Sequence, residues 1–217
     1  MANNEAIPIL IGTSNPAKSI RLAKCFSSEL FRFVFPESIS EENIPEETAD
    51  THESIAAEKA KYWSSKGSGF AVSSDGGLKI PILKDNWNSV FTHRFAGPNA
   101  TDQDRINTLL GLMSNYSGDE RSAYWEESVA LGYKGVLFKQ WAVKSGMGRI
   151  ALEPSVTKID GFWAASIWVF PDIGKSYTEL TENELKNIGD PWVDIKTSID
   201  LWVNTEGWDQ ISIALRQ

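Results

Sequence analysis

Apolar and polar positions change period along this chain in a way that alternates short strands with amphipathic helices. Ile7 to Ile11 is an apolar run long enough for a buried strand, and beyond Gly12-Thr13-Ser14-Asn15-Pro16-Ala17-Lys18 the residues Ile20, Ala23, Phe26 and Leu30 recur at helical spacing. Phe33 to Phe35 reads as a second short strand, followed by an acidic linker, Glu37 to Glu47, that contains Pro45. A helix is predicted from Asp50, with Glu53 three residues on in a capping-box arrangement, and its apolar stripe runs Ile55, Ala56, Ala60 and Trp63. Lys59 falls inside that stripe, where it either snorkels out to water or reaches a buried anion.

The stretch Phe70 to Ile80 carries one carboxylate, Asp75, out of an apolar run and onto Gly76-Gly77. Ala71 and Val72 read as the buried end of a strand, and the glycines let the backbone turn and lie close against a ligand. The plainer alternative is a strand, a turn opened by an Asp, and a second strand from Leu78 to Leu83 that Pro81 interrupts. A loop, Thr92 to Asn99, then leads to Thr101, a good N-cap for a helix whose face is Ile106, Leu109, Leu110 and Met113. Ala123 to Leu131 and Val136 to Val143 flank Gly132-Tyr133-Lys134-Gly135 as a hairpin. Gly161 to Phe170 is nearly all apolar and is predicted to be a buried strand. The remainder is helical: Thr181 to Ile188 capped by Thr181 and Glu184, a break at Gly189-Asp190-Pro191, then Ile195 to Val203 and Ile211 to Leu215.

Composition narrows the function. The 217 residues are enough for a full core and are read as one domain, 1–217. A net charge of -8 works against a protein that tracks a nucleic-acid backbone, so an anionic ligand must meet a local cluster of cations. A single cysteine, Cys25, excludes an intrachain disulfide and a cysteine-based zinc cage, and two histidines, His52 and His93, leave little for a histidine-rich one. Neither a secretory signal nor an apolar run of about 18 residues is present, so a soluble protein of the cytoplasm, without a membrane partner, is expected.

Three places carry candidate chemistry. Asn15 with Pro16 at the first helical position presents Thr13, Ser14 and the helix amides to an anion, with Lys18 one turn in, although a capped helix with a surface lysine has the same pattern. Asp75 beside bare backbone suits a metal-phosphate site, and Arg94 is a loop cation without an evident structural use.

With these segments laid out, the chain resembles the inosine/xanthosine triphosphate pyrophosphatase family over nearly its whole length. The family's Thr-x-Asn-x-x-Lys stands here as Thr13 to Lys18, and its Glu-Thr-Gly-x-Thr-Phe-Glu-Glu-Asn-Ala-x-x-Lys-Ala is similar, without a gap, to Glu47 to Ala60. Asp-Asp-Ser-Gly-Leu resembles Ser74 to Leu78, Ser-x-Arg-Tyr-x-Gly resembles Thr92 to Gly97, and the late Gly-Lys-Thr and Glu-Leu resemble Gly174-Lys175-Ser176 and Glu179-Leu180. The resemblance implies an α/β fold with a long central mixed sheet flanked by helices, two lobes with a cleft between them, and a homodimer. It implies hydrolysis of a nucleoside triphosphate to monophosphate and pyrophosphate, with Mg²⁺ on Glu47 and Asp75. In the same way it assigns Asp75, Lys18 and Lys59 to catalysis, and Thr13, Ser14, Asn15, Lys18, Lys59, Gly76 and Arg94 to the substrate. Phe162 and Trp163 fall where the family contacts the base.

The departures lie on the base side. The family's Phe-Gly-Trp/Tyr-Asp stands as Phe162-Trp163-Ala164-Ala165, its late Ser-His-Arg as Gly189-Asp190-Pro191, and Ser74 replaces one of its paired acids. Loss of those hydrogen-bonding groups predicts a weak preference for inosine or xanthosine triphosphate. The alternative is a nucleotide-binding or regulatory homologue without catalysis; joint retention of Glu47, Asp75, Lys18, Lys59 and Arg94 favours the enzyme.

Overall fold

The structure is a computed structural model that describes residues 6–26, 29–35, 49–66, 69–92 and 94–216. Glu47 and His93 therefore lie outside the described residues, as does the acidic linker. Strand β1 (Ile7–Ile11) leads into helix α1 (Pro16–Cys25), and the start is built as the residues suggest, with the Asn15 side chain accepting from the Lys18 amide and Pro16 in the first turn. The helix phase differs from the expected one. Leu22 and Cys25 are its buried residues and Ile20 is exposed, because α1 packs on the late helix that begins at Pro191 and presents its Leu22 and Cys25 side to it.

Strand β2 (Phe31–Val34) pairs parallel with β1. Helix α2 (His52–Lys66) is capped by Thr51 rather than Asp50, since Thr51 Oγ1 accepts from the Ser54 amide and its carbonyl from Ile55. Strand β3 runs Phe70–Lys79 without a break, so Gly76 and Gly77 make no turn. Antiparallel pairing to β4 continues along its whole length, from Phe70 opposite Tyr133 to Lys79 opposite Tyr124, and holds the backbone extended. Pro81 opens a 3₁₀ segment, Pro81–Asn86, instead of interrupting a strand, because a residue without an N–H suits a helical first turn.

Helix α3 (Asp102–Leu112) has the expected Thr101 cap, completed as a capping box by Asp104. Strands β4 (Ser122–Tyr133) and β5 (Val136–Lys144) form the hairpin, with Lys134 and Gly135 both at positive φ, 47° and 83°, as a two-residue primed turn requires. Strand β6 (Gly148–Ile150) follows. The apolar segment Gly161 to Phe170 is not one strand: Trp163–Ser166 is a 3₁₀ turn and only β7, Trp168–Phe170, is extended. Gly161 stands two residues before that turn at φ 76°, and its carbonyl accepts from Asn15 Nδ2 at 2.9 Å, a tertiary bond that the apolar pattern does not encode. Strand β8 (Lys175–Ser176), α4 (Glu182–Asn187), α5 (Pro191–Trp202) and α6 (Trp208–Leu215) complete the chain.

The strands make one mixed sheet in the order β2-β1-β3-β4-β6-β7-β8, with β5 also on β4, and helices flank it. Two apolar cores form on it. One gathers Ile9, Leu22, Val72, Val129, Trp192 and Ile199, and the other gathers Leu78, Ile106, Leu109, Ile150 and Trp168. β3 and β4 belong to both, and the residues of β3 between the cores, Ser73 to Gly77, are where the polar groups collect. No helix among the described residues is long and apolar enough to cross a membrane.

Candidate active site

β1 ends at Ile11 opposite Val72, so β3 continues beyond its parallel partner with one edge unpaired by β1. That geometry delivers Asp75 past the end of β1, beside the start of α1. Asp75 is buried, and both of its carboxylate oxygens are engaged: Lys59 Nζ lies 3.2 Å from Oδ1 and His52 Nδ1 2.6 Å from Oδ2. Lys59 thus reaches a buried anion and does not snorkel. His52 Nε2 in turn meets Ser89 Oγ at 2.9 Å, and both residues are buried. Burial by itself pushes the Asp75 carboxyl up, but the His52 hydrogen bond and the Lys18 and Lys59 charges outweigh it and hold Asp75 below the usual carboxylate range. With Asp75 ionised, His52 Nδ1 donates to it, and Nε2 and the Ser89 hydroxyl share the second hydrogen bond. Ser89 is 1% exposed, which closes it to any substrate and makes the Ser-His-Asp line a brace for Asp75.

A second carboxylate, Glu127, belongs to none of the sequence motifs. It stands opposite Gly76 in the β3–β4 ladder, one residue out of phase with Asp75, and therefore on the other face of the sheet. Trp125 Nε1 donates to its Oε2 at 2.8 Å, Lys18 Nζ is 4.0 Å from Oε1, and Oε1 has no hydrogen-bond partner. Burial pushes Glu127 up, with the Asp75 charge adding to the rise while Lys18 and Trp125 oppose it. A signal for it exists: adjacent residues of a strand, Glu126 and Glu127, point to opposite sides of the sheet, so one of them meets the covered side. Glu126 takes the open side, paired with Lys79 and Lys144. Gly76 is glycine because a Cβ there would sit 2.3 Å from Glu127 Oε2 and 2.7 Å from the Glu126 carbonyl; the close approach is to protein. Ser74, on the same face as Glu127, is buried with its hydroxyl unpartnered.

At the head of α1, Thr13 Oγ1 accepts from the Asn15 amide at 3.1 Å, Ser14 is exposed, and Asn15 is used at both ends, as cap and as donor to Gly161. Arg94 is exposed in the turn that follows the 3₁₀ segment carrying Ser89. Phe162 is 8% exposed and packs edge-on against Trp125 and Tyr177 with the Arg21 guanidinium over its ring, so Trp163, stacked on Phe95, is the more open of the two aromatic residues. Ala165 is fully buried in the 3₁₀ turn. The late Gly189-Asp190-Pro191 is a helix start: Asp190 Oδ1 accepts from the Trp192 and Val193 amides, and Oδ2 accepts from the Tyr177 hydroxyl at 2.5 Å. Cys25 takes no part; burial pushes its thiol up to about 12.

A mixed sheet flanked by helices, with two cores and a lysine-flanked carboxylate between them, defines the class: an α/β protein. The model of the Ham1 family matches residues 9–190, and the chain belongs to that family. It is 28% identical over 180 residues to a dITP/XTP pyrophosphatase of Thermoanaerobacter sp. (strain X514), covering 83% of this chain and 88% of the relative. A HAM1 protein from Coxiella burnetii has a similar structure, with a TM-score of 0.72, 25% identity, and coverage of 89% of this chain and 98% of that one. The Staphylococcus aureus Ham1 protein shares the fold at a TM-score of 0.70 and 19% identity, over 92% of this chain and 100% of its own.

Proposed function

We propose that this chain is a Mg²⁺-dependent nucleoside triphosphate pyrophosphatase that hydrolyses a nucleoside or deoxynucleoside triphosphate to monophosphate and pyrophosphate, with base recognition rebuilt on residues other than the family's. The observation that carries it is the Lys59–Asp75 pair: a lysine set in the apolar stripe of α2 and aimed at a buried carboxylate that stays ionised. The pair keeps a cation beside an ionised acid, and a triphosphate needs cations at this point.

Asp75 fits a hard, oxygen-seeking ion, and Glu47, outside the described residues, is the second acid assigned to it. Mg²⁺ is characteristically held by one or two carboxylates and completed by water and substrate phosphates. Bound there, Mg²⁺ supplies charge neutralisation on the phosphate oxygens and an acidified water. The chain's own residues do the rest. Lys59 and Lys18 offset charge developing on the phosphoryl group and the departing pyrophosphate. His52, braced by Ser89, fixes the orientation of Asp75, and Glu127 holds Lys18 from the opposite face. Thr13, Ser14 and the first amides of α1 face the phosphates, Arg94 approaches them from its loop, and Trp163 lies against the base.

Nucleotide binding without turnover is the rival, favoured by one observation: both Asp75 oxygens are already engaged by Lys59 and His52. Pyrophosphate release from a panel of ordinary and deaminated nucleoside triphosphates, with Mg²⁺ and with EDTA, decides between them. Metal-dependent release that Glu47→Gln abolishes supports the enzyme; binding with no release from any member of the panel establishes the rival. We place the activity in the cytoplasm and take the assembly to be a homodimer, for which exposed Leu152 and Val156 offer apolar surface.

A further inference from the structure

Arg21 lies on α1 one turn beyond Lys18, on the same side of the helix. Its guanidinium carbon is 4.9 Å from the centroid of the Phe162 ring, 5.6 Å from Trp192 and 5.8 Å from Tyr177. Three aromatic contacts hold the guanidinium in place, and its charge opposes the rise of the buried Glu127 and Asp190 carboxyls, yet it makes no direct hydrogen bond or ion pair with any described residue. Its nitrogens are not sealed off. The fully buried side-chain polar atoms that lack partners are Ser74 Oγ and Glu127 Oε1 alone among the described residues, so the Arg21 donors reach solvent. An arginine fixed by rings but left with free N–H groups is set to meet a ligand that brings acceptors.

The surroundings say which part of a ligand that is. Lys18, at the phosphate end, is one helical turn away. Phe162 opens the 3₁₀ turn that stands at the family's base-contacting motif, and Asp190 and Tyr177 border the same place. Asp190, where the family carries its late basic triplet, has both oxygens committed to Tyr177 and the α5 amides, so it offers a base nothing.

We infer that Arg21 is the base-reading residue of this chain, donating two N–H groups to adjacent acceptors on the nucleobase, the O6 and N7 edge of a 6-oxo purine. Adenine puts an amino donor at position 6, which faces the guanidinium with a like group, so Arg21 selects oxo over amino purines. This deepens the pyrophosphatase assignment and rests on it for the identity of the ligand. A weak preference follows from the lost family residues only if no other donor replaces them, and Arg21 is such a donor.

The test is equilibrium binding of inosine triphosphate, adenosine triphosphate and inorganic tripolyphosphate to the full chain and to Arg21→Met and Arg21→Lys, in EDTA, with pyrophosphate release in Mg²⁺ measured in parallel. The expected result is tighter binding of the inosine form by roughly tenfold to a hundredfold, as for a good bidentate arginine–base pair, lost in Arg21→Met and only partly kept in Arg21→Lys, with tripolyphosphate affinity moving far less. Because the quantity read is a ratio between two ligands on one preparation, a fall in folded protein does not alter it. No inosine preference, a preference that survives Arg21→Met, equal losses for tripolyphosphate and inosine triphosphate, or no nucleotide binding each overturns the inference. Preferential binding with no pyrophosphate release leaves Arg21 as the base reader and overturns the enzymatic assignment instead.

Discussion

Asp75 and Glu127 are carboxylates on neighbouring strands, nearly opposite each other in the ladder, and they are held in opposite conditions. Asp75 faces α2, where Lys59 and His52 occupy its two oxygens and the carboxyl is held low. Glu127 faces α1, where one oxygen receives the Trp125 indole, the other receives no hydrogen bond, and the carboxyl is pushed up. The same chemical group thus has its charge favoured on one side of a sheet and opposed on the other. Burial acts on both; what differs is the number and closeness of donors, and in a low-dielectric setting that difference decides which form is stable.

Breaking the well-partnered side has the largest expected effect. Asp75→Asn removes the ionised oxygen and should lower pyrophosphate release by about a hundredfold to a thousandfold while circular dichroism shows the fold intact. Turnover close to wild type would take Asp75 out of the site and dissolve the contrast between the faces.

The contact between the two sides can be tested at Gly76. In Gly76→Ala the new methyl meets Glu127 Oε2 and the Glu126 carbonyl at distances no Cβ tolerates, and urea denaturation should report a loss of about 1–3 kcal/mol. Part of that loss should disappear when Gly76→Ala is measured in a Glu127→Ala background, since only the carbonyl then remains in the way. Identical costs in the two backgrounds would mean that Glu127 does not press on Gly76.

The smallest effect concerns the Glu127 charge itself. Its carboxyl is raised in the folded chain, so as pH climbs from the ordinary value of 4.5 the unfolded state loses its proton first; stability falls through that window and stays lower above it. Glu127→Gln removes this penalty. It should gain on the order of 1 kcal/mol over wild type at pH 8 and little at pH 4 in parallel denaturation series. A difference of equal size at both pH values would show that the Glu127 carboxyl is not raised.

How much was legible follows the range of the interactions involved. The cap at Asn15-Pro16, the Thr101 cap, the Thr181–Glu184 box and the Lys134-Gly135 hairpin turn were readable because each is settled within a few residues by hydrogen bonds or φ preferences. Lys59 announced itself as a polar residue in an apolar stripe. The turn expected at Gly76 is absent and the expected close approach is to protein, because glycine permits both and only the Glu127 side chain from the next strand tells them apart. The apolar run from Gly161 departs from the expected strand for a similar reason, since hydrophobicity reports burial and not backbone shape, and the Asn15 bond at its start spans 146 residues.

The sequence by itself determined the order of elements, the capped helix beside Lys18, the buried run that ends in Asp75, and the family to which these motifs point. Only the tertiary structure decided which groups share the site. His52 and Ser89 brace Asp75, Glu127 stands behind Lys18, and Arg21 enters a cage of rings drawn from the 3₁₀ turn, the β8 end and α5. Local preference acts through the backbone over a few residues, whereas a charge or a donor in a low-dielectric interior takes its value from whatever the fold brings within a few ångströms, and that neighbourhood is written in no single stretch of the chain.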